Sequence, residues 1–169
     1  MKAVAELLLG MMEAGVIDDY AVFGAVAQMR YTEAVATFDA DILVSVPSSE
    51  GLELLGGIYQ FCLDRGFVPE GEAIRVDDWP VQFIPAFDSL TTAAMQAAET
   101  SDVDGVPLRV IRADYLCVIA LSVGRAKDMA RVLALLEAEA VQEEDIVRIA
   151  TEHRLLDKWT AFKEKFLET

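Results

Sequence analysis

Asp39 and Asp41 stand at the head of an apolar run, Asp39-Ala40-Asp41-Ile42-Leu43-Val44-Ser45-Val46, that reads as a buried strand beginning with paired acids. Two acids in that place suit a divalent metal. Side chains alternate along a strand, so residues two apart point to one face and converge on one ion. Without a cation, carboxylates about 5 to 7 Å apart repel and one pKa rises. The competing reading is a solvated strand mouth with both acids facing water, and what lies upstream and downstream has to decide between them.

The surrounding elements are legible from periodicity and turn chemistry. Val4, Leu7, Leu8, Met11 and Met12 recur at helical steps within residues 2–15, with Gly15 as a C-cap. Tyr20 to Phe23 reads as a short strand ending at Gly24, and Ala25 to Tyr31 as a helix. The chain then returns through Thr32 to Phe38 to the Asp39 strand. Pro47-Ser48-Ser49-Glu50 supplies turn and cap residues for a helix over Gly51 to Asp64. Two β segments follow, Ala73 to Val76 and Val81 to Ala86, around a hairpin turn at Asp77-Asp78-Trp79-Pro80. Ser89 is expected to cap a helix through Ala98, Ser101 to Gly105 to be an acidic loop, and Val106 to Ile111 to be an edge strand, since Pro107 cannot donate to a ladder. Helices are predicted over 113–123, 125–139, 143–153 and 155–167. This order predicts an α+β, or three-layer α/β/α, fold: a small mixed sheet flanked by helices. Residues 1–112 would form the α/β core and 113–169 a helical part packed on it, as one compact domain.

Composition narrows the function classes. The chain has 169 residues, 54% of them hydrophobic, with a net charge of −15, a mean hydropathy of +0.32 and a pI near 4.3. A globular protein follows. A broad DNA-binding surface does not, because phosphate contacts draw on clustered Lys and Arg. Cys62 and Cys117 both lie in apolar segments, where thiols behave as small buried hydrophobes, so a reducing cytoplasm is the expected compartment. Glu6 and Glu13 interrupt the apolar N-terminus at helical spacing, which argues for an amphipathic helix rather than a signal peptide. No segment reaches the roughly 18 apolar residues of a membrane span.

Gly24-Ala25, thirteen residues, then Asp39-Ala40-Asp41 resembles the pattern of the nucleotidyltransferase superfamily with the polymerase-beta-like fold. Gly124-Arg125-Ala126-Lys127-Asp128 is similar to the Arg-x-Lys-Asp element of that superfamily's abortive-infection type E toxin-like branch. Together these elements span residues 20 to 137. The resemblance implies an enzyme that moves a nucleoside monophosphate from an NTP to a hydroxyl on tRNA, a protein or a small molecule, and a place among toxin-antitoxin-like proteins. Asp39 and Asp41 would hold Mg²⁺, or Mn²⁺ in its place, as catalytic ligands. Gly24 and Ala25 would let backbone N–H groups approach the triphosphate, and Arg125, Lys127 and Asp128 would complete the nucleotide site. For Arg125 and Lys127 the alternative is a solvated helical turn, and for Asp128 an acid favoured by the helix dipole.

The chain also departs from the pattern. Many members place a third acid where this sequence has Gln82, and a neutral carboxamide cannot deprotonate a hydroxyl. Ala25 lacks the hydroxyl of a Gly-Ser pair, Ser122 stands near the place of a common lysine, and Arg131 takes a position often held by an acid. The resemblance therefore also implies an alternative, a catalytically weakened member that binds nucleotide or a protein partner without turnover. Asp77, Asp78 and Asp88 could substitute for the missing acid but are explained by turn chemistry. His153, the one histidine, reads as a helix-end cation, and Trp79 and Trp159 as packing residues. Arg148, Arg154, Lys158, Lys163 and Lys165 read as a solvated face, with contact to a tRNA or a partner protein as the alternative.

Overall fold

A computed structural model describes residues 1–47 and 54–168. The chain begins α1 (Lys2–Glu13), β1 (Asp19–Phe23), α2 (Gly24–Gln28), β2 (Ala40–Ser45) and α3 (Gly56–Asp64). It continues β3 (Val68–Glu70), β4 (Ala73–Val76), β5 (Trp79–Pro85), α4 (Ser89–Gln96), β6 (Glu99–Val103) and β7 (Val106–Val110). Four helices close it: α5 (Ala113–Val123), α6 (Ala126–Glu137), α7 (Glu143–Glu152) and α8 (Leu156–Phe166). The expected turn at Ser48 to Glu50 and the first residues of the helix expected from Gly51 lie outside the described residues.

Seven strands form one mixed sheet in the order β3-β4-β5-β2-β1-β7-β6. β2 lies inside it, antiparallel to β1 and parallel to β5. Its apolar run explains that place. Ile42, Leu43 and Val44 are all at most 1% exposed although they alternate between faces, so both faces of the strand are covered. Burial of each such side chain contributes roughly 1.5–3 kcal/mol. Val4, Leu7, Leu8 and Met11 of α1 are buried as the periodicity requires, and α5 packs against α6, α7 and α8. This is the α+β fold that the order of elements predicts. Among the described residues no helix is long and apolar enough to cross a membrane.

Several local expectations are corrected. The segment expected as an acidic loop, Ser101 to Gly105, is mostly strand: β6 pairs antiparallel with β7 around Asp104-Gly105, whose φ angles are 51° and 82°. Asp-Gly is a strong signal for such a hairpin turn. β7 is consequently not an edge strand, because it lies between β1 and β6. Pro107 is tolerated there because β1 meets β7 only at Val22 and Val110, beyond the proline. Trp79 and Pro80 belong to β5 rather than to the turn, which is Asp77-Asp78 alone. The exposed three-residue strand β3 carries no burial pattern that a sequence could display. Asp88, not Ser89, caps α4, accepting the Thr91 N–H at 2.7 Å.

Candidate active site

β2 brings the two acids to the centre of the sheet edge formed by its N-terminal end. The register sets Phe23 of β1 and Gln82 of β5 directly beside Asp41. Cross-strand partners share a face, so the Asp41 and Gln82 side chains leave the sheet on the same side, although Gln82 does not line the cavity described below. Asp39 sits one residue before the strand, half-buried, and accepts a hydrogen bond from Thr37 Oγ1 at 3.3 Å.

Gly24 ends β1 with φ of 66° and turns the chain directly into α2. A Cβ at this position would run into the Asp41 carboxylate, meeting Oδ2 and, at 3.3 Å, Cγ. Glycine is thus required twice, for the left-handed turn and for the space Asp41 fills. The sequence pattern offers only the first reason.

The Asp41 carboxylate makes no hydrogen bond among the described residues, and burial pushes its pKa up. Repulsion from Asp39 adds to the rise, while Lys127, Arg131 and Arg125 pull it back.

The carboxylates open into a cavity of about 630 Å³ that Ala25, Lys127 and Arg131 also line. Lys127 and Arg131 come from α6, four residues apart, so one helical face carries both toward the acids. The segment Val35 to Phe38 forms another wall, with Phe38 91% exposed.

Arg125 and Asp128 lie at the start of α6 but do not line the cavity. Arg125 is the N-cap and Asp128 the third helical residue, and the Asp128 carboxylate accepts the N-cap backbone N–H, the one half of a capping box that an arginine, which has no side-chain acceptor, allows. Asp128, 1% exposed, accepts the Arg125 backbone N–H at 3.2 Å and Arg125 Nε at 2.7 Å. Burial alone would raise its pKa, but Arg125, aided by Arg131, outweighs burial and holds it below the usual value. Arg131 donates from Nε to buried Gln28 at 3.1 Å and from Nη1 to Asp128 at 3.4 Å. Sequence reading missed Arg131 and Gln28 as site residues. Their link spans 103 positions of chain, and the one available signal was that Arg131 follows Lys127 by a helical turn.

The remaining candidates sit elsewhere. Ser122 bonds the Ile119 carbonyl of its own helix at 2.7 Å. Among the described residues no third His, Cys, Asp or Glu joins Asp39 and Asp41, so Asp77, Asp78 and Asp88 do not complete the pair. His153 caps α7 and bonds Ser89 Oγ through Nδ1 at 3.1 Å, while its Nε2 is buried without a partner. Among the described residues no carboxylate bonds this ring, so they form no Ser-His-acid arrangement. Of the C-terminal cations, Arg148 pairs with Asp145 and Lys163 with Glu143. Trp159 is 2% exposed and stacks on Phe162. Cys62 and Cys117 are free and buried, with burial pushing their thiols up to about 11 and about 12.

The donor set fits one hard divalent cation. Mg²⁺ is commonly held by one or two carboxylates, with waters and substrate phosphates filling the octahedron, and Mn²⁺ accepts the same oxygen ligands. Asp39 and Asp41 would supply the carboxylates, with Gln82 next to Asp41 in the strand register.

The sequence matches no protein-family model and no curated protein. Solved structures nevertheless share the fold. An antigenic nucleotidyltransferase-like protein from Paracoccidioides brasiliensis superposes with a TM-score of 0.55 at 12% identity, over 96% of this chain and 91% of that one. The antibiotic-resistance factor ANT(2'')-Ia superposes with a TM-score of 0.51 at 11% identity, over 96% and 95%. At such identities the likeness establishes the fold, which is that of nucleotidyltransferase-like proteins.

Proposed function

We propose that the protein is a nucleotidyltransferase that uses Mg²⁺, or Mn²⁺, to move a nucleoside monophosphate from an NTP to a hydroxyl acceptor. One observation carries this reading: Asp39 and Asp41 share a cavity with Lys127 and Arg131, and the Asp41 pKa is raised by burial and by Asp39. When bound, the ion would supply positive charge against the charge that develops on the transferred phosphoryl group. Asp39 and Asp41 would hold it, and Gly24 keeps the backbone clear of the Asp41 carboxylate. Ala25 leaves room at the cavity wall, and Lys127 binds phosphate as a point charge. Arg125 acts at longer range, and Asp128 fixes the start of α6 from which these cations project. The acceptor oxygen bonds to the α-phosphorus, the α–β phosphoanhydride bond breaks, and pyrophosphate leaves. The hydroxyl proton passes to water, because the Gln82 carboxamide beside Asp41 cannot accept it.

That last point favours a second reading, a weakened member that binds nucleotide or a protein partner with little turnover. A positioned base contributes about 10²–10⁴-fold, so its absence is felt at the chemical step and not in binding. The acceptor in the first reading is a hydroxyl of tRNA, a protein or a small molecule. The Gly124 to Asp128 element supports a place near the toxin-like branch, and the free cysteines support a reducing compartment such as the cytoplasm. In this reading residues 1–112 supply the carboxylates and 113–169 the cations, within one compact domain.

Calorimetry with Mg²⁺ and each NTP, paired with transfer assays using α-labelled NTP, separates the readings. Binding with label transfer supports the transferase, and binding without transfer to any acceptor class supports the weakened member. Absence of nucleotide binding to wild-type protein overturns the transferase and reduces the second reading to binding of a protein partner.

A further inference from the structure

We infer that Arg131 is the second cation of this site: its guanidinium takes the charge-neutralising place of a second metal ion, so the cleft binds a single divalent ion with NTP. The inference rests on the NTP-binding reading above and assigns the division of labour within it.

Two-metal phosphoryl-transfer centres hold their ions about 3.5–4 Å apart, and so close a pair of dications needs several anionic ligands. Here only Asp39 and Asp41 are available among the described residues, and the neighbouring register position holds neutral Gln82. Arg131 lines the same cavity. Its side chain is 15% exposed and is oriented from behind by Gln28 Oε1 at 3.1 Å and Asp128 Oδ1 at 3.4 Å. Its Nη2 has no hydrogen-bond partner among the described residues. Arg131 is not needed to neutralise Asp128, since Arg125 does so at the shorter 2.7 Å. An arginine that stays protonated, is held by two partners and keeps part of its fork free is built for a phosphate oxygen. Lys127, on a flexible stem, lacks that preorganisation.

The β- and γ-phosphates are the part of an NTP that a second cation would meet, which gives the test. Mn²⁺ bound to wild-type protein with an α,β-methylene NTP analogue is counted by electron paramagnetic resonance. Affinities for the analogue and for the matching NMP are then measured for wild type, Arg131→Gln and Arg131→Lys. We expect one Mn²⁺ per nucleotide complex. Arg131→Gln should lose about 10- to 100-fold in affinity for the triphosphate with little change for the monophosphate, and Arg131→Lys should recover part of it. Two Mn²⁺ ions in the wild-type complex overturn the inference whether or not the variants fold. Equal losses for triphosphate and monophosphate assign Arg131 to folding and overturn it too. If wild-type protein binds no nucleotide, the transferase reading falls and Arg131's role with it.

Discussion

Asp41 and Asp128 are both carboxylates removed from bulk water, yet the protein treats them in opposite ways. Asp128 accepts hydrogen bonds from Arg125 N, Nε and Nη2 and from Arg131 Nη1, and its pKa is held down. Asp41 accepts none among the described residues, stands near a second acid, and its pKa is pushed up. A carboxylate satisfied by its own chain is a structural node. One left in need of charge is prepared for something that arrives. Asp128 at the start of α6 is thus satisfied by folding, whereas Asp41 on β2 carries charge that the proposed ligand would offset.

The largest expected effect comes from the satisfied carboxylate. Asp128→Ala removes the acceptor that Arg125 and Arg131 share at the start of α6, and loss of one partner from a buried pair costs about 3 kcal/mol or more. Because Arg125 is half in solvent, the lower end of that range applies, a fall in Tm of about 6–12 °C for a chain of this size. Thermal unfolding without metal measures it, and a Tm equal to wild type would dissolve the contrast.

Asp41→Asn should do the reverse. It is expected to weaken Mg²⁺-dependent nucleotide binding by about 100-fold, at the upper end of what loss of a metal's supporting partners costs, while leaving metal-free Tm unchanged or higher. Calorimetry and thermal unfolding of one sample read both. A lower metal-free Tm would mean that Asp41 is already satisfied by the fold.

Gly24→Ala tests the space between β1 and β2. The left-handed φ costs about 1–2 kcal/mol for a residue with a Cβ, and the methyl must also push aside the Asp41 carboxylate. Stability and Mn²⁺ affinity should therefore fall together, whereas a loss of stability with metal affinity intact would reduce Gly24 to an ordinary turn. Gln82→Glu sharpens the same boundary by adding a carboxylate in register with Asp41. It should raise the Mn²⁺ count above that of wild type, as read by paramagnetic resonance, and lower metal-free stability.

The smallest effect is in pH. Asp41's folded pKa lies above its ordinary 3.8, so its stabilising contribution is present below that value and is lost as pH rises through the raised one. Asp128's lies below 3.8, so its contribution is present above that value and is lost as pH falls through the lowered one. Metal-free urea unfolding should find Asp41→Asn at least as stable as wild type near about pH 7, with the difference closing toward acid. Excess Mg²⁺ should remove the wild-type deficit.

Much of the scaffold was legible because its signals are local. Val4, Leu7, Leu8 and Met11 mark α1 by spacing alone, and the apolar run from Ile42 demands a strand covered on both faces. Helix α5 from Ala113 to Val123 runs where the pattern sets it. The misses also have local causes. Asp102 and Asp104 read as loop because of their charge, although Asp104-Gly105 carries the hairpin signal, and Pro107 read as an edge because the shortness of the β1–β7 pairing is a tertiary fact. Ser89 was taken for the cap that Asp88 provides, one residue earlier.

By itself the sequence determined that Asp39 and Asp41 stand at the head of a buried strand and follow a glycine turn, because alternation and backbone sterics act over a few residues. Only the tertiary structure decided that Gly24 makes room for the Asp41 side chain and that Gln82 stands at Asp41's level. The same holds for Asp128, spent on arginines, and for Arg131, tied to Gln28 at the cavity wall. Those outcomes depend on strand register and helix packing between distant segments. Whether a buried charge is satisfied or left waiting is set by such neighbours, which no local pattern names.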